Sequence, residues 1–228
     1  SLAALDDRPF AALNAASFVD GVMLRVPAGT RALRPIHVVS IADPGDAPAT
    51  LYPRLLLLLD AGARASVIES HSGAGAYLAN AVCEIRLGDA AELTHLRIQQ
   101  DSADSVHIAQ ASLTLGAHAA YHARVFSLGE GMARYEISAR LLGEGASLDL
   151  AAASLGYGRG HFDVTSVIEH AVRGTRSRQL VKCVLGGRGR GVYQGKVRVA
   201  RGAVATDAHQ LSRALLLSPT AEANLKPE

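Results

Sequence analysis

From residue 22 onward the chain is written in short alternating runs. Val22, Leu24 and Val26 alternate with Met23 and Arg25, and Ile36 and Val38 resume the pattern after a turn at Pro27 and Gly29. A period of two places successive side chains on opposite faces, so these runs predict half-buried β-strands. Glycine closes most of them, and Pro44 with Gly45 marks a loop. Residues 1–20 read differently. Leu2, Leu5 and Leu13 recur loosely at helical spacing, with Pro9 as a break. The expectation is a helical entry segment at 1–20 and a β-domain at 21–228.

The runs also repeat. A leucine, a turn holding Gly, Ala or Asp, and an alternating strand recur from Leu59, Leu87, Leu115 and Leu142, at spacings of 28, 28 and 27 residues. Val172 and Val199 continue the series more weakly, after 30 and 27 residues. Such a period suits one coil of a parallel β-solenoid with two or three short strands per turn. A sandwich of similar hairpins would want Asn-Gly or Asp-Gly turns, and none occurs within the repeats. Composition points the same way. Aromatic residues make up 4% of the 228, Trp is absent, and Gly numbers 22 and Ala 41, so the core must stack in thin layers.

Apolar residues make up 49% and charged residues 19%, which excludes a disordered chain. Two cysteines exclude a disulfide-built scaffold. The longest apolar run is the five leucines at 55–59, too short to span a bilayer. The first residues lack the basic stretch of a signal peptide, and a cytoplasmic protein is expected. No Walker-type loop, GxSxG elbow or HExxH pair is present. Gly156, Gly158 and Gly160 imitate a phosphate loop, but no helix-forming sequence follows them.

Candidate chemistry is sparse. Cys83 shares parity with Ala81, Ile85 and Leu87, against Glu84 and Arg86, and Cys183 shares it with Val181 and Leu185, against Lys182. Both are expected to point inward as small core hydrophobes. His118 and His122, four apart in a strand, would share an outward, solvated face. Cys183 and His209 are the weak candidates for metal ligands. From 171 to 206 there is no acidic residue but nine cations: Arg173, Arg176, Arg178, Lys182, Arg188, Arg190, Lys196, Arg198 and Arg201. Stacked coils would merge them into a positive stripe, read as a solvated face, an acidic-protein site or, third, a nucleic-acid site lacking interleaved aromatics.

Two stretches carry a family resemblance. Ala11, Ala12, Leu13 and Asn14 through Phe18, then Asp20 and Gly21, then Val26, Pro27 and Gly29, resemble the entry of the SufB/SufD iron–sulfur assembly proteins. The second is more specific. Thr175, Ser177, Lys182, Tyr193, Gly195, Lys196 and Val197 precede Thr206, Asp207, Ala208, His209 and Gln210, then Leu215, Leu216, Leu217, Ser218, and Lys226, Pro227, Glu228. They resemble the family's F-x-G-x-I-x-V…TDA-x-Q…LLLS…KPE signature, leaning toward SufD. The resemblance implies an all-β, right-handed parallel β-helix and a non-enzymatic scaffold subunit of a SufB–SufC–SufD complex. It implies SufB-like and SufC-like partners, with SufC as the driving ATPase, and pairing at the C-terminal end of the β-helix. An isolated chain would then form a homodimer there, with Tyr193, Gly195, Thr206, Asp207, Gln210, Leu215, Leu216, Leu217 and Ser218 as motif or interface residues. The family's C-x-HGAT segment does not occur in these residues, so a core fragment is expected. It would bind no cofactor itself, the iron–sulfur cluster belonging to the assembled complex, and would bind neither membrane nor nucleic acid. The readings from other classes are a β-solenoid carbohydrate-active enzyme, for which the acidic and aromatic groove residues are missing, and a basic nucleic-acid-binding solenoid.

Overall fold

The computed structural model describes residues 8–45 and 47–228. One helix, α1 (Pro9–Ser17), precedes the strands β1 (Val22–Val26), β2 (Ile36–Ala42), β3 (Ala49–Leu51), β4 (Arg54–Leu59), β5 (Arg64–Gly73) and β6 (Tyr77–Leu87). Then follow β7 (Glu92–Gln100), β8 (Val106–Leu115), β9 (Ala120–Gly129), β10 (Met132–Leu141) and β11 (Ser147–Gly156). The last five are β12 (His161–His170), β13 (Arg176–Leu185), β14 (Arg190–Val199), β15 (Asp207–Leu216) and β16 (Glu222–Pro227). They form two sheets. One runs β1-β4-β6-β8-β10-β12-β14-β16, with β3 beside β6, and the other runs β15-β13-β11-β9-β7-β5-β2. Every ladder is parallel. The chain therefore winds as a parallel β-helix of about seven turns, with one strand per sheet in each full coil.

The register corrects the repeat. Leu59, Leu87, Leu115, Leu141, His170 and Val199 stand in one column, giving coil lengths of 28, 28, 26, 29 and 29 residues. Leu142 and Val172 lie beyond their strands in the corners, because a corner can lengthen or shorten without disturbing the ladder. Each corner is itself hydrogen-bonded to the next. The Gly62, Ala90 and His118 amides donate to the carbonyls of Asp89, Ala117 and Glu144. Residues Ala63, Ala91, Ala119 and Ala146 close successive corners from inside, and each is fully buried. The column continues to Thr175, also fully buried, so each of these corners takes a small side chain. Gly143 has a stricter reason. A Cβ at that position would sit 2.0 Å from the Ala117 amide nitrogen.

Four expectations change. Pro9 begins α1 rather than breaking it, since the first helical position has no use for an N–H. Leu2 and Leu5 lie outside the described residues, and Leu13 faces solvent while Ala11 and Asn14 are buried. Asn14 donates to the Asn80 carbonyl (2.8 Å) and Asn80 donates to that of Phe10 (2.9 Å), which pins α1 to the outer face of β6. Glu84 points outward as expected yet is buried, paired with Arg54, which also donates to Asn14. His118 is not in a strand: it occupies a left-handed corner at φ 55°, two residues before β9, so it does not share a strand face with His122.

The alanine column supplies a test. Ala119→Leu should overpack the corner and cost roughly 1–3 kcal/mol of unfolding free energy. Urea titration measures it; an unchanged midpoint would mean that the corner has slack the packing does not show.

Candidate functional site

The solenoid's interior is apolar in its middle coils and charged near its start. Inward positions of β5 are Ala65, Val67, Glu69 and His71; those of β7 are Leu93, His95, Arg97 and Gln99. Register aligns Val67 with His95, Glu69 with Arg97 and His71 with Gln99. Two coils later the same columns hold Leu150, Ala152 and Ser154. The fold therefore does not itself demand charge at these positions.

The charged groups form one connected network. Glu69 Oε1 accepts from His71 Nε2 at 2.6 Å, and Glu69 Oε2 lies 3.1 Å from His95 Nε2. Arg97 Nε stands 3.6 Å from Glu69, while Arg97 Nη2 donates to His107 Nε2 at 2.6 Å. His107 Nδ1 faces Asp101 Oδ2 at 2.8 Å. Asp101 also accepts from Gln99 Nε2 (2.8 Å) and from the Tyr77 hydroxyl (2.5 Å). His95 Nδ1 meets the Tyr121 hydroxyl at 3.0 Å, and the Arg97 guanidinium lies over the Tyr135 ring. All of these side chains are buried.

Burial alone would push the Glu69 carboxyl up. The hydrogen bonds from His71 and His95, with the fields of His71 and Arg97, outweigh it and hold Glu69 well below the usual carboxylate range. Asp101 is lowered in the same way, its desolvation overcome by His107, Tyr77 and Gln99. His107 goes down to about 4, driven first by burial and then by Arg97, against the raising effect of Asp101. A neutral His107 accepts from Arg97 at Nε2 and keeps its proton on Nδ1, toward Asp101. Cys83 lies in the same field. Burial, Glu69 and Glu84 push its thiol well above its ordinary value.

A cavity of about 570 Å³ opens onto this network between the sheets. His71, Tyr77, Asp101 and His107 face it, and Ile41 and Leu51 contribute apolar wall. The arrangement offers a polar floor within an apolar rim, suited to holding a small polar guest or a proton in a desolvated place. No group of three or more His, Cys, Asp or Glu among the described residues has the geometry to hold a metal ion.

The other end of the β-helix holds the motif residues. Tyr193 is fully buried, its hydroxyl 3.2 Å from Ser166 Oγ, and Ser166 donates to Gln179 Oε1 at 2.6 Å. Gly195 leaves room for that hydroxyl, since a Cβ there would lie 2.3 Å from it. Thr206 Oγ1 donates to the Ala203 carbonyl in the corner before β15, and Ser218 Oγ donates to the Gly187 carbonyl. Asp207 opens β15, in contact with His209. Gln210 faces inward beside Gln179, both atoms of its amide buried without a hydrogen bond. Leu215, Leu216 and Leu217 are exposed, Leu216 at 46% although its register partner Leu185 is fully buried.

Cys83 and Cys183 are both buried, as their parity predicts. Cys183 faces inward on β13, while His209 faces outward on β15 and is exposed. The structure does not bring these two together. The nine-cation stretch is also split. Arg176, Arg178 and Lys182 project from one sheet and Arg190, Lys196 and Arg198 from the other, with Arg173, Arg188 and Arg201 in corners. It is not one stripe, because consecutive strands of a two-sheet solenoid face opposite ways.

Residues 41–228 match the family model described as SUF system FeS cluster assembly, SufBD core domain. The chain belongs to the SufBD family. The Synechocystis iron–sulfur cluster assembly SufBD family protein slr0076 is 32% identical over 229 residues, covering 96% of this chain and 51% of that protein. The chloroplastic protein ABCI7 of Arabidopsis thaliana is 30% identical, covering 96% and 48%. The Escherichia coli iron–sulfur cluster assembly protein SufD is 28% identical, covering 90% and 49%. This SufBD chain thus spans about half the length of the curated relatives it matches. Among its described residues no helix is long and apolar enough to cross a membrane.

The network makes the SufBD core acid-sensitive. His107 titrates near 6.5 unfolded and about 4 folded, so protons bind the unfolded chain preferentially and stability falls as pH drops from 6.5 to 4. Glu69 and Asp101, both lowered in the fold, add a further loss below the unfolded carboxylate range. The expected result is a denaturation midpoint that declines between pH 7 and 4, with His107→Gln flattening that limb. A midpoint independent of pH across the interval would contradict a buried, neutral His107.

Proposed function

We propose that this chain is the β-helical core of a non-enzymatic scaffold subunit in a SufB–SufC–SufD type assembly complex. In this reading it pairs with a SufB-like subunit, or with a second copy of itself, and a SufC-like ATPase supplies the energy. The iron–sulfur cluster is the cargo of that assembly rather than a resident cofactor of this chain. The observation that supports pairing is the last coil. β15 and β16 each have one unpaired strand edge, and Leu215, Leu216 and Leu217 cluster beside them in solvent. A parallel coil presents unsatisfied N–H and C=O groups at its end, and apolar side chains there favour strand addition. The named relatives, two as SufBD family proteins or SufD, support the cluster-assembly role.

Light scattering after gel filtration tests the pairing. At tens of micromolar (~10–100 μM), where exposed strand edges associate, the chain should give a dimer mass, reduced to a monomer by Leu216→Asp. A monomer unaffected by that substitution overturns self-pairing. Mixing with a SufB-like subunit then tests the heteromeric alternative.

The separation of Cys183 from His209 generates a second expectation. Anaerobic incubation of the isolated chain with ferrous iron and sulfide should leave no protein-bound visible absorbance. A stoichiometric cluster abolished by Cys183→Ser would place a ligand set inside this chain after all. Both thiols should also react slowly with an alkylating reagent in the native state and fast in urea.

A further inference from the structure

The outer faces of the two sheets differ. On the β6–β16 side, the outward positions are dressed with ion pairs: Arg134 with Glu136 and Asp163, Arg140 with Glu169, Arg190 with Glu222. Helix α1 covers part of the rest. The outward face of the other sheet is apolar over much of its area. Leu128, Leu155, Val184 and Leu215 stand in register on β9, β11, β13 and β15. The neighbouring row begins with Phe126 and Ala153. Leu155 is 50% exposed, Leu215 57% and Phe126 39%, which is high for side chains lying on a flat sheet. Adjacent strands lie about 4.8 Å apart and alternate residues about 6.6 Å along a strand. The apolar area is therefore a plateau about three strand spacings wide, not a scatter of single residues.

Some cations on this face make no ion pair among the described residues: Arg178 and Lys182 on β13 and Arg213 on β15 have none, whereas Arg124, on the same face, is paired with Asp149. Lys182 and Arg213 are register neighbours at the end of the Phe126 row, so two like charges stand side by side. Leu180 and Leu211 separate them from the register pair of Arg178 and His209, where Asp149 stands beside Arg178 and Asp207 contacts His209 at 2.8 Å. Like charges directly across a strand pair are unfavourable, and an arriving carboxylate relieves that repulsion.

We propose that this face docks an acidic amphipathic segment of a partner protein. Its apolar stripe covers the Leu128–Leu155–Val184–Leu215 row, and its carboxylates meet Lys182 and Arg213. The proposal goes beyond the pairing of coil ends, because it uses a sheet face rather than a strand edge. Aliphatic side chains disfavour a nucleic acid, since leucines offer no stacking platform and Phe126 is the one aromatic in these rows. A lipid surface is the other occupant that apolar and basic side chains could meet, and vesicles are therefore an arm of the test.

Fluorescence anisotropy with the full 228-residue chain tests this. The probe is a synthetic helix-forming peptide with one stripe of leucines flanked by glutamates. It should bind with a Kd below about 100 μM, weakening with added salt. The Lys182→Glu, Arg213→Glu double variant should lose at least about tenfold. Leu155→Asp should lose a similar factor, while the scrambled peptide of equal charge should bind at least about tenfold more weakly than the original. All substituted side chains point outward, and circular dichroism checks that the variants keep the β-signal. Failure of the peptide to bind, equal binding by the scrambled peptide or by the double variant, or tighter binding of duplex DNA or of phosphatidylserine vesicles would each overturn the proposal.

Discussion

Every inner coil of this molecule is hydrogen-bonded to the coil before it and the coil after it, and the rest of the structure follows from that ladder. Parallel in-register stacking fixes the parity of each strand, so a residue's face is decided by its neighbours in the column, not by its own polarity. It confines the interior to the narrow space between two sheets, which is why the corner column holds small side chains, Ala63, Ala91, Ala119, Ala146 and then Thr175, and why Gly143 tolerates no Cβ. It also leaves edges open at the two ends, on β15 and β16 at one and on β1 and β2 at the other.

That constraint accounts for both unusual features of the surface and the core. In β7, the columns set by Leu93 force His95, Arg97 and Gln99 inward and Leu96 and Ile98 outward. In β5 they force Glu69 and His71 inward and Ile68 outward. One inversion of the usual pattern therefore places charge in the core and aliphatic side chains on the outer face. Burying a charged group costs several kcal/mol unless it is paired and hydrogen-bonded. Here Glu69, Arg97, His107 and Asp101 pair with one another in series, so removing one member strands the others.

The same inversion explains what could and could not be read from the amino-acid sequence. The coil period, the parallel solenoid and the inward cysteines were legible because the residues nearest each cysteine alternate: Ala81, Ile85 and Leu87 against Glu84 and Arg86, and Val181 and Leu185 against Lys182. The interior network was not. Taken alone, the β7 run suggests Leu96 and Ile98 as its buried side, and only the column through Leu93, Tyr121 and Leu148 shows the opposite. A signal was available: aligning the coils would have pinned that parity. The split of the basic stretch was hidden for a similar reason, since alternation within β13 or β14 does not tell that the two strands belong to opposite sheets. Motif residues such as Tyr193, Gly195 and Gln210 were recognisable by spacing, yet their placement inside the last coils needed the register.

The interior changes character along the axis, and this divides labour within one continuous core. Near the start it is charged and opens to a cavity. In the middle, around Ile137, Leu141, Leu148 and Leu150, it is mainly aliphatic and uncharged, with Tyr121 and Tyr135 among the buried side chains. Toward the end it becomes polar but uncharged: His170 contacts Thr175 and Ser177, and Ser166, Gln179 and Tyr193 share hydrogen bonds beside Gln210. Cooperative stability in a solenoid is a sum over neighbouring coils. The aliphatic middle can therefore offset weaker interfaces on either side of it. A charged network is tolerable where its coils are backed by such a block on one side, and an uncharged polar layer is the cheaper choice next to an edge that faces solvent or a partner. The order charged, aliphatic, neutral polar is thus one that the energetics of a stacked chain permit when its middle coils carry much of the stability.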